Sequence, residues 1–163
     1  MINKSDMRDD SLSDKFEPLI TWSEIYVTGI ELIDNQHKEL VNLTNLLYKA
    51  CLTGNEETKT IFQDAMHKLV DYVRFHFTAE LAILERINYP KYNEHKAQHD
   101  ELVRTILVTA KDYEAGKKLV PNTFVRTLAD WVFGHIAVYD KSYASYVADQ
   151  KKRGLLDDKQ IAG

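Results

Sequence analysis

The chain holds a single cysteine, Cys51, among its 163 residues. No internal disulfide can form, and thiolate metal sites that need several cysteines are excluded. Cys51 reads as a small apolar filler late in the first helix. Glycine (6) and proline (3) are scarce, which argues against a turn-rich β architecture and for long helices. No stretch approaches the roughly 18 apolar residues of a membrane span. There is no clustered basic face: the formal charge is −4 and the pI about 5.9. The one compact basic run, Lys151-Lys152-Arg153, lies beside acidic residues and reads as a solvated helix end. Nucleic acid is therefore not an expected partner. Residues 1–17 are polar and mixed in charge, without the apolar stretch of a secretory signal. They read as a mobile arm on a soluble, cytoplasmic protein, and the lack of an exposed apolar stripe favours a monomer.

What is present is helical periodicity. Hydrophobic residues make up 44% of the chain, enough for one domain core, placed at 18–153 with a frayed tail at 154–163. After an extended lead-in from Pro18 to Gly29, anchored by Trp22 and Tyr26, four segments carry apolar or histidine positions at gaps of three and four. The first, from about Ile33 to Leu52, has Ile33, His37, Leu40, Thr44 and Leu47, and Thr53-Gly54-Asn55 as its stop. The second, from about Glu57 to Ile87, has Phe62, Met66, Leu69, Val73, His76, Glu80, Leu84 and Ile87, ended by Asn88-Tyr89-Pro90. The third, from about Lys91 to Ala115, has Tyr92, His95, His99, Leu102, Ile106 and Tyr113, capped by Gly116. The fourth opens at Pro121 and runs to about Arg153, with Phe124, Leu128, Trp131 or Val132, His135, Tyr139, Tyr143 and Tyr146. Short connections force neighbours to run antiparallel. The expected fold is all-α, an up-down-up-down antiparallel four-helix bundle with an N-terminal extended arm.

Five of the six histidines fall on these core stripes: His37, His76, His95, His99 and His135. Glu80 joins them, and so, nearly, does Asp140. A step of four residues turns a helix by roughly 400°, so His76 with Glu80, and His95 with His99, share a face one turn apart. Buried carboxylates among imidazoles need a cation or a complete hydrogen-bond network. Imidazole and carboxylate ligands suit iron, zinc, copper or manganese, and seven ligands suit a binuclear site better than one tetrahedral zinc. His67 is the internal control. It lies nine residues before His76, roughly half a turn out of phase, and should face solvent together with Asp64. The five-residue step from His135 to Asp140 amounts to about 140° on an ideal helix. A π-turn near Val138 to Asp140 would bring both to one centre.

Together Ile33-Asp34-Asn35-Gln36-His37, His76-Phe77-Thr78-Ala79-Glu80, His95-x-x-x-His99 and His135-Ile136-x-x-x-Asp140 resemble the hemerythrin family, and specifically its bacterial members, over about Trp22 to Tyr146. The resemblance implies two iron ions, cycling between ferrous and ferric. His95, His99 and His135 would hold one, and His37 and His76 the other. Glu80, Asp140 and an oxo or hydroxo group would bridge them. Two ferrous ions, two carboxylates and a hydroxide leave a net charge near +1, tolerable in a low-dielectric core. Dioxygen would bind at the open position beside His37 and His76, in an apolar pocket lined by Leu40, Phe77, Trp131, Val132 and Ile136. Tyr143 and Trp22 would support the ligating imidazoles, and Tyr139 would bring a phenol near the site.

The sequence departs from the family pattern at two places. Leu81 stands where many bacterial members have a second glutamate. Val132 stands where a larger leucine is common, a change expected to widen the pocket and hasten autoxidation. The leading expectation is reversible oxygen binding without enzymatic turnover. One alternative is an oxygen, redox or nitric oxide sensor acting through a separate, unidentified protein partner. The other is a di-iron enzyme acting on peroxide or nitric oxide, for which no dedicated proton donor is evident.

Overall fold

The computed structural model describes residues 17–53, 56–116 and 121–162, apart from the side chains of 53, 56–59 and 121. Residues 1–16 of the expected arm, and Gly54 and Asn55 of the expected first stop, lie outside them. All regular structure among the described residues is helical. A 3₁₀ turn at Glu24–Tyr26 precedes α1 (Glu31–Thr53), α2 (Glu56–Arg86), α3 (Tyr92–Glu114) and α4 (Pro121–Gly134). A π-turn at His135–Asp140 joins α4 without a break to α5 (Lys141–Lys152), and α6 (Asp158–Ile161) closes the chain. Helix α1 packs on α2 and α4, and α2 packs on α3. This is the expected four-helix bundle, its fourth member made of α4, the π-turn and α5.

Side chains fix the entry into α1. The Asp34 carboxylate accepts from the Thr28 N–H and hydroxyl, both at 2.7 Å, and from the Gly29 N–H at 3.0 Å. Gly29 sits at φ +80°, a conformation that glycine adopts without penalty. A carboxylate in the first turn also complements the positive end of the helix dipole. Upstream, the Asn45 side chain takes both backbone groups of Ile20, accepting from its N–H at 2.9 Å and donating to its carbonyl at 2.8 Å. The lead-in is thus tied down along α1 before the helix begins.

Helix α2 ends as Asn88-Tyr89-Pro90 requires. Asn88 turns to φ 50°, its N–H bonds the Glu85 carbonyl, and the Tyr89 N–H reaches back to Leu84 at 2.9 Å. That is a Schellman stop, with Tyr89 and Leu84 packed together as such stops favour.

The core has two main apolar clusters with a polar layer between them. One holds Leu40, Leu47, Leu69, Phe77, Ile106, Val132 and Ile136 among others. The other holds Ile33, Ile83, Leu84, Ile87, Tyr143 and Val147. On α1 the chain passes from Ile33 through His37 to Leu40, and on the fourth helix from Ile136 through Asp140 to Tyr143. Each helix therefore crosses the same layer where its stripe turns polar. The tail is not frayed. Asp157 and Gln160 form a reciprocal capping box at α6, Ile161 is buried in the second cluster, and Arg86 Nη1 donates to the Ala162 carbonyl at 2.6 Å. Burial of one isoleucine, worth about 1.5–3 kcal/mol, and the cap hold these residues down. No helix among the described residues is long and apolar enough to cross a membrane.

Candidate metal centre

The polar layer gathers all seven sequence-predicted ligand residues, and none is more than 3% exposed. Glu80, His95, His99 and His135 each place one ligand atom within 4.8 Å of the others', and so do His37, His76 and Glu80. Glu80 thus belongs to both groups. Its Oε2 lies 3.1 Å from Nε2 of His95 and of His99 and 3.9 Å from Nε2 of His76. Asp140 divides its two oxygens: Oδ2 faces His37 Nε2 at 3.1 Å, while Oδ1 faces His135 Nε2 at 3.1 Å and His95 Nε2 at 3.5 Å. The layer therefore has a three-histidine side and a two-histidine side, with a carboxylate touching both at each of two places.

The π-turn at His135–Asp140 makes the second of these contacts possible. The extra residue returns Asp140 to the face that holds His135, as its five-residue spacing demands. It also overturns one expectation. Tyr139, four residues after His135, was placed on the core stripe, yet it is 39% exposed. In a wider turn the inward position falls to the fifth residue, and the fourth swings outward.

Hydrogen bonding within the protein leaves much of this layer unsatisfied. Buried Nδ1 atoms of His37, His99 and His135, Glu80 Oε1 and both Asp140 oxygens have no hydrogen-bond partner. The Nε2 atoms of His99 and His135 face one another at 2.9 Å, which sets two lone pairs head to head when both rings carry their proton on Nδ1, as inward-facing metal ligands must. Native proteins rarely leave this many buried polar atoms unpaired. Cations placed between the inward Nε2 atoms and the Glu80 and Asp140 carboxylates would satisfy the unpaired oxygens and His37 Nε2, so the residues present fit a metal centre.

The electrostatics point the same way. Burial drives the His76 imidazole down to about 3 and that of His99 down to about 4, so both are neutral and ligand-ready at neutral pH. Burial opposes ionisation of Glu80, but the His95 and His99 rings hold its carboxyl well below the usual range. Burial and Glu80 both act to raise Asp140, and the His135 and His37 rings still bring it below its usual value. His37 is raised despite burial, because Asp140 and Glu80 face it. Two carboxylates held in their ionised form beside the neutral rings of His76 and His99 make a site that attracts positive charge.

The surroundings hold the rings in place. Gln36 Oε1 accepts from His76 Nδ1 at 2.9 Å, with both groups buried, which turns Nε2 inward toward Glu80. The sequence carried a signal for Gln36, since it lies three residues after Ile33 and so on the buried face of α1, yet it was not singled out. Phe77 stacks flat on His99 with 3.5 Å between centroids, and Trp131 stacks on His135 at 4.4 Å. Tyr143 meets the His95 ring edge-on at 5.6 Å, as expected of a supporting residue. Trp22 instead packs on Tyr26 at 5.8 Å, with Lys38 Nζ 5.6 Å above its ring. Of the five residues expected to line a pocket, Leu40, Phe77, Val132 and Ile136 are buried in one cluster, and Trp131 packs against its margin. His67 is exposed, 3.1 Å from Glu114, and Asp64 is exposed as well, so both stand apart from the layer.

Known proteins resemble this chain in sequence and in fold. The family model for the hemerythrin HHE cation binding domain matches residues 28–147. A bacteriohemerythrin from Methylococcus capsulatus is 33% identical over 126 residues, 77% of this chain and 94% of that protein. One from Pseudomonas paraeruginosa is 31% identical over 144 residues, 88% of this chain and 91% of that protein. Among solved structures, wild-type hemerythrin superposes with a TM-score of 0.72 at 31% identity, covering 78% of this chain and 96% of that one.

Proposed function

This chain belongs to the hemerythrin family, and from that premise we propose that it binds dioxygen reversibly at a non-haem di-iron centre, as a carrier or store rather than an enzyme. The observation that carries the reading is the divided contact of Asp140, with one oxygen toward His37 and the other toward His95 and His135, alongside a Glu80 shared by both groups. In this reading His95, His99 and His135 hold one iron and His37 and His76 the other, with Glu80 and Asp140 as bridges. The iron pair supplies the two electrons and the open coordination position that dioxygen binding requires.

The protein's part is to bind, enclose and withhold protons. Leu40, Phe77, Val132 and Ile136, buried together with Trp131 at their edge, form an apolar surround that disfavours water and anions. Phe77 fixes the plane of His99, and Gln36 fixes His76. An oxygen-cleaving enzyme needs a proton donor of suitable pKa beside the reacting atoms. The buried phenol nearest the layer is Tyr143, and burial, aided by Glu80 and Asp140, pushes it well above 10, so it keeps its proton. Binding without cleavage follows.

The test is a visible spectrum of the iron-loaded, reduced protein before and after air. A charge-transfer band that appears with oxygen and bleaches on its removal is expected. No band with two irons per chain defeats the reading. Val132 gives a second measurement. Val132→Leu adds one methylene to the surround and is expected to slow autoxidation several-fold in air, followed as decay of that band. An unchanged rate would remove Val132 from the account.

A further inference from the structure

The two sides of the layer differ in their distance from solvent. On the two-histidine side His37 and His76 are 0% and 1% exposed, and Phe77 and Gln36 lie against His76. On the three-histidine side two rings, Trp131 and Tyr139, lie on His135. Tyr139, 39% exposed, lies over His135 with 5.4 Å between centroids and 26° between planes. Trp131 covers the opposite edge of the same ladder, half-buried against the core. Beside Tyr139 a cleft of about 110 Å³ runs between Lys91, Glu94 and Val138 down to the His95 ring. Val138 at its lip is 61% exposed. Tyr89 and Ser142 also line the cleft, so that two phenol rings and Val138 stand among polar groups and one charge of each sign. The exposed ring of Tyr139 offers a flat, aromatic ligand a face to stack on.

We infer that Tyr139 and this cleft form the electron-entry port of the centre, at which a planar aromatic reductant stacks and returns an oxidised centre to its ferrous state. The inference rests on the di-iron reading above. A ferric centre has no electrons to share with dioxygen, so a carrier that autoxidises needs such an entry. The π-turn supplies it, placing a conjugated ring in contact with both solvent and a candidate ligand ring. In the transfer, a reduced flavin gives one electron to a ferric ion and one proton to water, and a second transfer restores the second iron. No protein bond breaks. Tyr139 keeps its phenol proton, because the electron passes across the ring without residing on it. Electrons then enter through the His135 ring, on which Trp131 of the proposed apolar surround also stacks.

The experiment measures the rate at which reduced riboflavin reduces the air-oxidised, iron-loaded protein without oxygen, for the wild type and for Tyr139→Phe, Tyr139→Leu and Val138→Ala. Oxygen release rate and iron content are measured alongside. Tyr139→Leu is expected to slow reduction several-fold. Tyr139→Phe, which keeps the ring, should leave it near the wild-type rate, and Val138→Ala, which trims the lip, should slow it less than Tyr139→Leu does. Oxygen release should not move in any variant. Reduction that is unchanged or faster in Tyr139→Leu overturns the inference, since a ring that merely shields the centre would admit the reductant when removed. A wild-type protein that takes up no iron overturns both readings. Iron uptake without oxygen binding overturns only the oxygen reading, and the Tyr139 comparison then still decides this one.

Discussion

Removing the iron from the folded protein is expected to lower its unfolding free energy by at least about 4 kcal/mol, the linkage expected of a ligand held near a thousand times its dissociation constant. The seven groups of the layer are at most 3% exposed, and much of their hydrogen-bonding capacity is unmet by the protein. Without metal, two carboxylates remain ionised in the core against neutral imidazoles, at a cost that packing elsewhere must offset. The outer core should survive, since both apolar clusters are intact on either side of the layer. The apoprotein should therefore unfold at a lower urea midpoint with its helix content largely kept, and regain the midpoint when ferrous iron is restored without air. Equal midpoints for the two forms, by circular dichroism, would mean that the layer is satisfied without metal, and the site reading would fall.

Asp140→Asn is expected to cost metal binding far more than it costs the fold of the apoprotein. The substitution keeps the shape of the side chain and removes its charge. In the iron-loaded protein it takes away the one group whose two oxygens face His37 on one side and His135 on the other. Iron content should fall from two per chain to one or fewer, and the oxygen-dependent band should vanish. In the apoprotein the same change removes a carboxylate that the His135 and His37 rings hold below its usual value, so stability should fall, but by less than in the iron-loaded protein. Metal analysis and urea titration of both forms check the pair of outcomes. An Asp140→Asn protein that keeps two irons and its band would show that Asp140 does not bridge.

The core stripes of α1 and α2 were legible residue by residue, because gaps of three and four have one physical meaning on a helix packed along one side. Every residue expected on those two stripes is buried, Thr44 and Glu80 among them. The seven-residue cluster was legible for a related reason: a histidine or carboxylate in an apolar stripe has no cheap explanation. Even the π-turn was foreseeable, from a spacing that a regular helix cannot satisfy. What the sequence hid are consequences of that turn and of single contacts. Tyr139 was placed inward, since a stripe extrapolated at 3.6 residues per turn runs straight through a wider turn. Gln36 was passed over because a polar residue on a buried face announces itself only once its partner across the bundle is known. The docked tail depends on Ile161 meeting a surface built from α2 and α5, and no local pattern reveals that.

The turn at His135–Asp140 has a consequence for how this helix can vary in length. An inserted or deleted residue is commonly absorbed in loops and rejected in packed helices. Here the fourth helix already carries the equivalent of one inserted residue, accommodated at the layer itself. The segments before and after it run in different phases, offset by about 100°. Val132 and Ile136 are set by one phase, Asp140, Tyr143 and Val147 by the other. Were the turn to tighten into a regular helix at unchanged length, Tyr139 would swing inward, Asp140 away, and Tyr143 off His95; deleting one residue between His135 and Asp140 would instead place Asp140 four residues after His135 and keep it on the same face. The wide turn and the five-residue spacing are therefore one feature: either can be lost only together with the other if the site is to stay whole.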